Sequence, residues 1–369
     1  MILLVGPLAH PAMLRALQVK GDVQTIRGRL LGGSRAGIDL DGWPVIQNKS
    51  DADEGARIPA VAAEWTPRLR RYAEITGLEP AYLGGQQLLG VQDHGAGSDA
   101  SKQFSTDHWP ADFAVAIALW VLDQLDGHTP AQIRQRWPRI GDWVGAQQRA
   151  AQSTASQKGQ GAELGPEGDE RFEILLRCEA YANFFAVEEL SLRHRLYGGG
   201  WSKPLLRAAF VSGDATVVLP WDPIRDRVLL IDQFRAGPAA RGDHQPWLFE
   251  AVAGRLDQDE DPQVAARREA REEAGVELRD LIAGPHHYPS SGATAEFIYL
   301  YIGIADLPDG ITGIGGLEDE DEDIRSHLIS RQALLEMVRN GEIRNGPLLV
   351  LALWLDREAE GLRSKYTPV

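Results

Sequence analysis

The chain of 369 residues has a single cysteine, Cys178, so no disulfide can form within it. That excludes the disulfide-stapled secreted scaffolds and points to a reducing compartment. With no histidine near it in sequence, Cys178 is expected to be a buried structural thiol. No run approaches the ~18–20 uninterrupted apolar residues of a membrane span. The opening MILLVGPLAHPAML is apolar but lacks a basic start and contains Pro7 and Pro11, so it reads as a first strand and turn and not as a signal peptide. Basic residues are also scarce: 38 Lys and Arg against 53 Asp and Glu give a net charge of −15. No surplus is left to neutralise a nucleic acid or an anionic membrane. A cytoplasmic protein is expected, in which any anionic ligand is met by local arginines and metal. No internal repeat is visible.

What is present is ordinary globular material: 43% apolar residues, a mean hydropathy of −0.26, and enough length for two cores. The stretch at 152–170, QSTASQKGQGAELGPEGDE, has no apolar periodicity and reads as a linker between domains at 1–151 and 171–369. A second polar patch lies at 92–103. Upstream of the linker, short apolar runs at Ile2–Val5, Val23–Ile26, Trp43–Ile46 and Gln87–Val91 predict strands, and helices are predicted over 110–126 and 130–151. Trp109, Trp120, Trp137 and Trp143 fall in or beside those helices as packing residues. Downstream, TVVLPWD, RVLLIDQF and FIYLYIGI predict strands, joined by helices at 262–274 and 331–340. Alternating strands and helices indicate an α/β fold built as a sandwich.

The most informative segment is GRLDQDEDPQVAARREAREEAGV, Gly254 to Val276. Asp261 is placed to cap a helix with Pro262 at its first position, and Gly275 supplies a left-handed stop after Ala274. Glu269, Glu272 and Glu273 then share one helical face at i, i+3 and i+4. Like charges so spaced repel by roughly 0.2–0.5 kcal/mol per pair, and a fold that retains them normally keeps a cation there. Hard oxygen ligands suit Mg²⁺ or Mn²⁺. Arg268 is four residues before Glu272 and is placed to orient it. Taken alone, REAREE is more often a solvated helix laced with Glu–Arg pairs.

The full spacing resembles the Nudix box at each defined position: Gly254, Glu260, Arg268, Glu269, Ala270, Glu272, Glu273, Gly275 and Val276. That resemblance implies metal-dependent hydrolysis of a nucleoside diphosphate linked to another group. From Asn183 to Arg363 the chain is similar to the bacterial ADP-ribose pyrophosphatase branch of that family, through FFAVEELSLRHRL (184–196), PWLFEAVAG (246–254) and GGLEDEDEDIRSHLISR (315–331). The resemblance implies Glu269 and Glu273 as principal metal ligands, helped by Glu272 and the backbone carbonyl of Ala253. It implies Arg235, Phe184 and Arg207 as substrate contacts, with Ser290 and Glu296 matching substrate-side positions more loosely. The catalytic base falls at Glu320, with Glu322 as the alternative or as a metal-supporting partner. In family dimers Phe184 and Arg207 come from the neighbouring subunit, with N-terminal strands exchanged, so a homodimer is expected. A run of acids such as Glu318 to Asp323 would otherwise read as a solvated loop. The expected products are AMP and ribose 5-phosphate. The competing readings are a nucleotide sugar or dinucleotide coenzyme as substrate, and a nucleotide-sensing binding protein.

The first 151 residues resemble the gamma-glutamyl cyclotransferase-like fold, an α+β small mixed barrel with helices. LLVGPLAHPAMLRAL is similar to its opening strand, loop and helix, WPVI (43–46) to an interior strand, and LRRYAEI (69–75) to the segment bearing its catalytic glutamate, here Glu74. The sequence departs from that pattern at Val5, Pro7 and Ile75, which removes a hydroxyl and fills space. A non-catalytic domain that packs, dimerises or binds a ligand is expected.

Overall fold

The computed structural model describes residues 1–47, 57–91, 102–153, 158–159, 162–163, 165–166, 170–316 and 322–366. Contacts divide the chain into two compact units, Met1–Arg207 and Ala208–Val369.

The first unit contains, in order, β1 (Ile2–Val5), α1 (Pro11–Ala16), β2 (Gly21–Arg27), β3 (Arg29–Leu31), β4 (Val45–Gln47), β5 (Arg57–Ala63), α2 (Pro67–Thr76), β6 (Ala81–Leu83), β7 (Gln86–Leu89), α3 (Ala111–Asp123), α4 (Pro130–Gln135) and α5 (Trp137–Gln152). Five of the strands form a mixed sheet in the order β2-β5-β1-β7-β6, with β1 parallel to β7 and the other pairs antiparallel, and β3 pairs with β4 in a separate two-stranded sheet. Its core joins Leu4, Met13, Tyr72, Ile117, Trp137 and Val144. The helix expected over 130–151 is two helices, because Pro138 cannot donate to a continuous ladder and the chain breaks at Arg136. Buried Trp109 and Trp137 each donate an indole N–H to a backbone carbonyl, of Ala36 at 2.8 Å and of Ile38 at 2.5 Å. Trp120 and Trp143 meet edge to face.

Within the expected linker, β8 (Lys158–Gly159) pairs with β9 (Ala162–Glu163). Next come β10 (Phe172–Ala182), β11 (Ala186–His194) and β12 (Leu205–Val211), a three-stranded sheet. Expected with the second domain, these strands group by contact with the first unit up to Arg207. The reason is a set of charged contacts to its helices. Arg136 grips Glu179 through two hydrogen bonds of 2.7 and 2.6 Å, and the guanidinium of Arg177 lies over Trp120. Cys178, expected buried, is exposed on β10. This sheet leaves apolar side chains uncovered, Phe172, Leu176 and Leu206 among them, each about two-thirds exposed.

The second unit holds β13 (Ala215–Asp222), β14 (Arg227–Phe234), α6 (Ala236–Arg241), β15 (Trp247–Glu250), β16 (Val252–Arg255), α7 (Pro262–Ala274), β17 (Leu278–Ala283), β18 (Ile298–Ala305), β19 (Ile314–Gly315), β20 (Ile324–Ser330), α8 (Arg331–Arg339) and α9 (Gly346–Tyr366). The main sheet runs β17-β18-β13-β14-β20-β19, with β15 paired to β14 and β16 to β13. Strand alternation sorts the core into two layers. Val217, Leu219, Trp221, Val228 and Leu230 face Leu334 of α8 and Leu348, Leu351 and Leu355 of α9. Val218, Leu229 and Ile231 face Ala266, Ala270 and Ala274 of α7. The result is an α/β/α sandwich. Small residues on the inner side of α7 let its backbone lie close to the sheet, and that closeness brings its glutamates to β16. Among the described residues no helix is long and apolar enough to cross a membrane.

Candidate active site

Helix α7 begins and ends as its sequence dictates. The Asp261 side chain accepts from Gln263 N at 2.8 Å and Val264 N at 3.4 Å, Pro262 opens the first turn, and Gly275 closes the helix at φ 63°. Glu269 and Glu273 are buried, at 9% and 3% exposure, and Glu272 is half-buried.

Two features of β16 receive these acids. Gly254 passes so close beneath Glu269 that a Cβ there would stand 1.8 Å from its Oε1. Next to it, the Ala253 N–H donates to Glu273 Oε2 at 2.9 Å. Ala253 and Glu273, expected to share a site, are therefore neighbours. This N–H is the one hydrogen bond to the Glu273 side chain among the described residues, and the charge of Arg235 opposes the effect of its burial without a direct ion pair.

Arg268 organises the rest. Its Nε and Nη2 donate to Glu260 at 3.0 and 2.8 Å, and its Nη1 to Glu269 at 2.6 Å and Glu272 at 3.0 Å. Nη2 also reaches the Arg255 carbonyl at 3.2 Å. The expected link from Arg268 to Glu272 is present, and the guanidinium spans the acids whose charges would otherwise meet. Hydrogen bonding by Glu260 is the largest influence holding Arg268 above its ordinary pKa. Among the described residues no three His, Cys, Asp or Glu side chains converge as a ready-made ligand set. Arg268 Nη1 stands between the carboxylates of Glu269 and Glu272.

Electrostatics give the same picture. Burial pushes Glu269 up to about 7, against the lowering effect of Arg268, and Glu272 and Glu322 add to the rise. Glu273 is raised well above the carboxylate range, by burial first and by Glu269 and Glu322 after it, although the Ala253 N–H opposes. Burial thus favours the neutral form of both groups.

Arg235 precedes α6 and faces the same acids. Its Nε lies 3.1 Å from both oxygens of Glu250, and its Nη2 lies 2.6 Å from Oε2. Burial would lower its pKa, but Glu250, with the charges of Glu273 and Glu322, holds it above the usual value. Glu322 therefore lies within electrostatic reach of Glu269, Glu273 and Arg235. The chain enters this region at Gly315, where a Cβ would stand 2.3 Å from the Glu273 carbonyl. Glu320, the expected base, lies outside the described residues, as do Leu317, Glu318, Asp319 and Asp321.

Glu296 is half-buried just before β18, with its pKa raised by burial, opposed by Arg255 and by the Ser212 hydroxyl, which donates at 3.5 Å. Ser290 is exposed in a turn where its carbonyl accepts from Ala293 and Thr294 at 2.9 Å. Phe184 and Arg207 belong to the first unit. Phe184 is 58% exposed at the tip between β10 and β11, with the Arg139 guanidinium 4.9 Å from its ring centre. Arg207 is exposed and donates to the Leu206 carbonyl at 2.8 Å. Glu74 lies on the exposed face of α2, while Val5 and Ile75 are fully buried in the first unit.

Sequence reading gave no role to Glu250, the buried partner of Arg235. Its signal was a lone acid inside the apolar run WLFEAVA, where burial requires a counter-charge.

Against this geometry, the NUDIX domain profile matches residues 212–349. The chain is 37% identical to the ADP-ribose pyrophosphatase of Escherichia coli K12 over 199 residues, covering 54% of this chain and 94% of that protein. It is 33% identical to the Haemophilus influenzae ADP-ribose pyrophosphatase, over 53% of this chain and 90% of the relative. A GDP-mannose pyrophosphatase of Salmonella arizonae is 35% identical, over 40% of this chain and 76% of the relative.

Proposed function

The chain belongs to the Nudix family, and from that premise we propose that it hydrolyses the diphosphate of ADP-ribose to AMP and ribose 5-phosphate. The observation that carries this reading is the pair of buried carboxylates, Glu269 and Glu273, set against Ala253 and Gly254 of β16, with the charge of Arg235 acting on Glu273. Glu273 has a single N–H partner and, within salt-bridge distance, no cation among the described residues, the charge of Arg235 acting on it from further off, which fits a bound cation. Glu269, Glu272, Glu273 and the carbonyl of Ala253 would hold Mg²⁺ or Mn²⁺. When bound, such an ion neutralises diphosphate charge and lowers the pKa of water.

The chain's own residues do the rest. Arg235 donates to a phosphate oxygen or the terminal ribose. Glu320 accepts the proton of the attacking water, with Glu322 as the alternative or as support for the metal. Ser290 and Glu296 border the half of the substrate that is not AMP. Phe184 stacks on adenine and Arg207 approaches the substrate from the neighbouring subunit of a homodimer with exchanged strands. The uncovered apolar side chains of β10 and β12 support that association. The first 151 residues act as a non-catalytic domain, a role supported by the exposure of Glu74 and the burial of Val5 and Ile75. A cytoplasmic setting suits the single cysteine.

The similarity to a GDP-mannose pyrophosphatase favours one second reading, a nucleotide sugar as substrate. A panel of ADP-ribose, GDP-mannose and a dinucleotide coenzyme, each with Mg²⁺ and product analysis, separates the two. AMP released fastest from ADP-ribose supports the first reading, and preference for GDP-mannose replaces it.

A further inference from the structure

Arg235 poses a physical problem. A flexible guanidinium beside buried acids should swing onto them, fill the cation site and neutralise the groups a metal needs. The charges of Glu273 and Glu322 act on it directly. The structure shows a different outcome. Glu250, 3% exposed on β15, takes up Nε and Nη2 at 2.6–3.1 Å, and its position is fixed by pairing opposite Ile231 on β14. The backbone is pinned as well, since Arg235 N donates to the Pro246 carbonyl at 3.0 Å. Nη1 makes no hydrogen bond among the described residues, so this edge of the fork keeps its donors.

We propose that Glu250 is a positioning residue that holds Arg235 off the box carboxylates, keeping their cation site open and turning the free edge of the guanidinium toward the diphosphate. The proposal rests on the reading of Glu269, Glu272 and Glu273 as metal ligands and of Arg235 as a diphosphate contact. Loss of the Glu250 charge releases Arg235 onto Glu273 and Glu322. Metal and substrate affinity then fall together.

The test uses the full chain and Mn²⁺ binding followed by calorimetry, alongside KM for ADP-ribose. Glu250→Gln is expected to weaken Mn²⁺ binding about tenfold, the scale of one displaced charge pair. Arg235→Ala alone leaves Mn²⁺ binding intact and raises KM. In the double variant Mn²⁺ binding returns to the Arg235→Ala level, which a merely unfolded or loosened site would not do. Failure of the double variant to recover, or unchanged Mn²⁺ binding in Glu250→Gln, overturns the proposal. An unchanged KM in Arg235→Ala overturns only the substrate role of Arg235, and absence of Mn²⁺ uptake by the parent chain overturns the metal reading itself.

Discussion

Gly254 lies directly under Glu269, and a single added carbon would stand 1.8 Å from the carboxylate oxygen and 2.0 Å from its carbon. The glycine of the box is thus a spatial requirement: β16 must approach α7 closely enough for Ala253 to meet Glu273. Gly254→Ala is expected to push Glu269 out of place and to cost about 1–3 kcal/mol of stability. Calorimetric titration should then find weakened Mg²⁺ uptake, and normal uptake by this variant would contradict the geometry.

Arg268 substitutes for a cation between Glu269 and Glu272 and anchors Glu260. Arg268→Ala leaves three partly buried acids without it, and the expected cost is about 1–3 kcal/mol. Thermal unfolding with and without Mg²⁺ checks this. The variant should gain more from the ion than the parent does.

Glu269, raised to about 7, sets a pH dependence in the absence of divalent ions. Its folded pKa lies above its unfolded value, so its contribution to stability is complete below about 4.5 and is lost as pH rises through about 7. Glu269→Gln removes this term. Relative to that variant, the parent chain should lose stability between pH ~5 and ~8 in chelator, and Mg²⁺ should close the gap. Parallel curves for the two proteins would count against the shift.

Phe172, Leu176 and Leu206 are exposed by 66, 65 and 67% on one small sheet. Light scattering is expected to find a dimer, and Leu176→Asp to shift it toward monomer. A monomeric parent chain would remove the proposed source of Phe184 and Arg207 at the active site.

Much of the second unit was legible because its signals are local. The Asp261-Pro262 start, the Gly275 stop and the glutamate spacing each act within one or two turns, and the structure reproduces all three. The apolar runs of β13, β14 and β18 were equally plain. What escaped depends on contacts distant in sequence or on cover the sequence does not specify. Cys178 sits on a strand that this chain leaves uncovered. The strands around it group with the first unit through Arg136 and Glu179, 43 positions apart. Glu250 acquires meaning only once Arg235 is seen beside it, 15 residues away across a strand pair.

The central claim is that Glu269 and Glu273 together hold the divalent ion that neutralises the diphosphate. Its most direct measurement is AMP release from ADP-ribose and Mg²⁺ by Glu273→Gln beside the parent chain, with folding checked by circular dichroism. A fall in kcat of about a hundredfold or more is predicted. Turnover at the parent rate would contradict it.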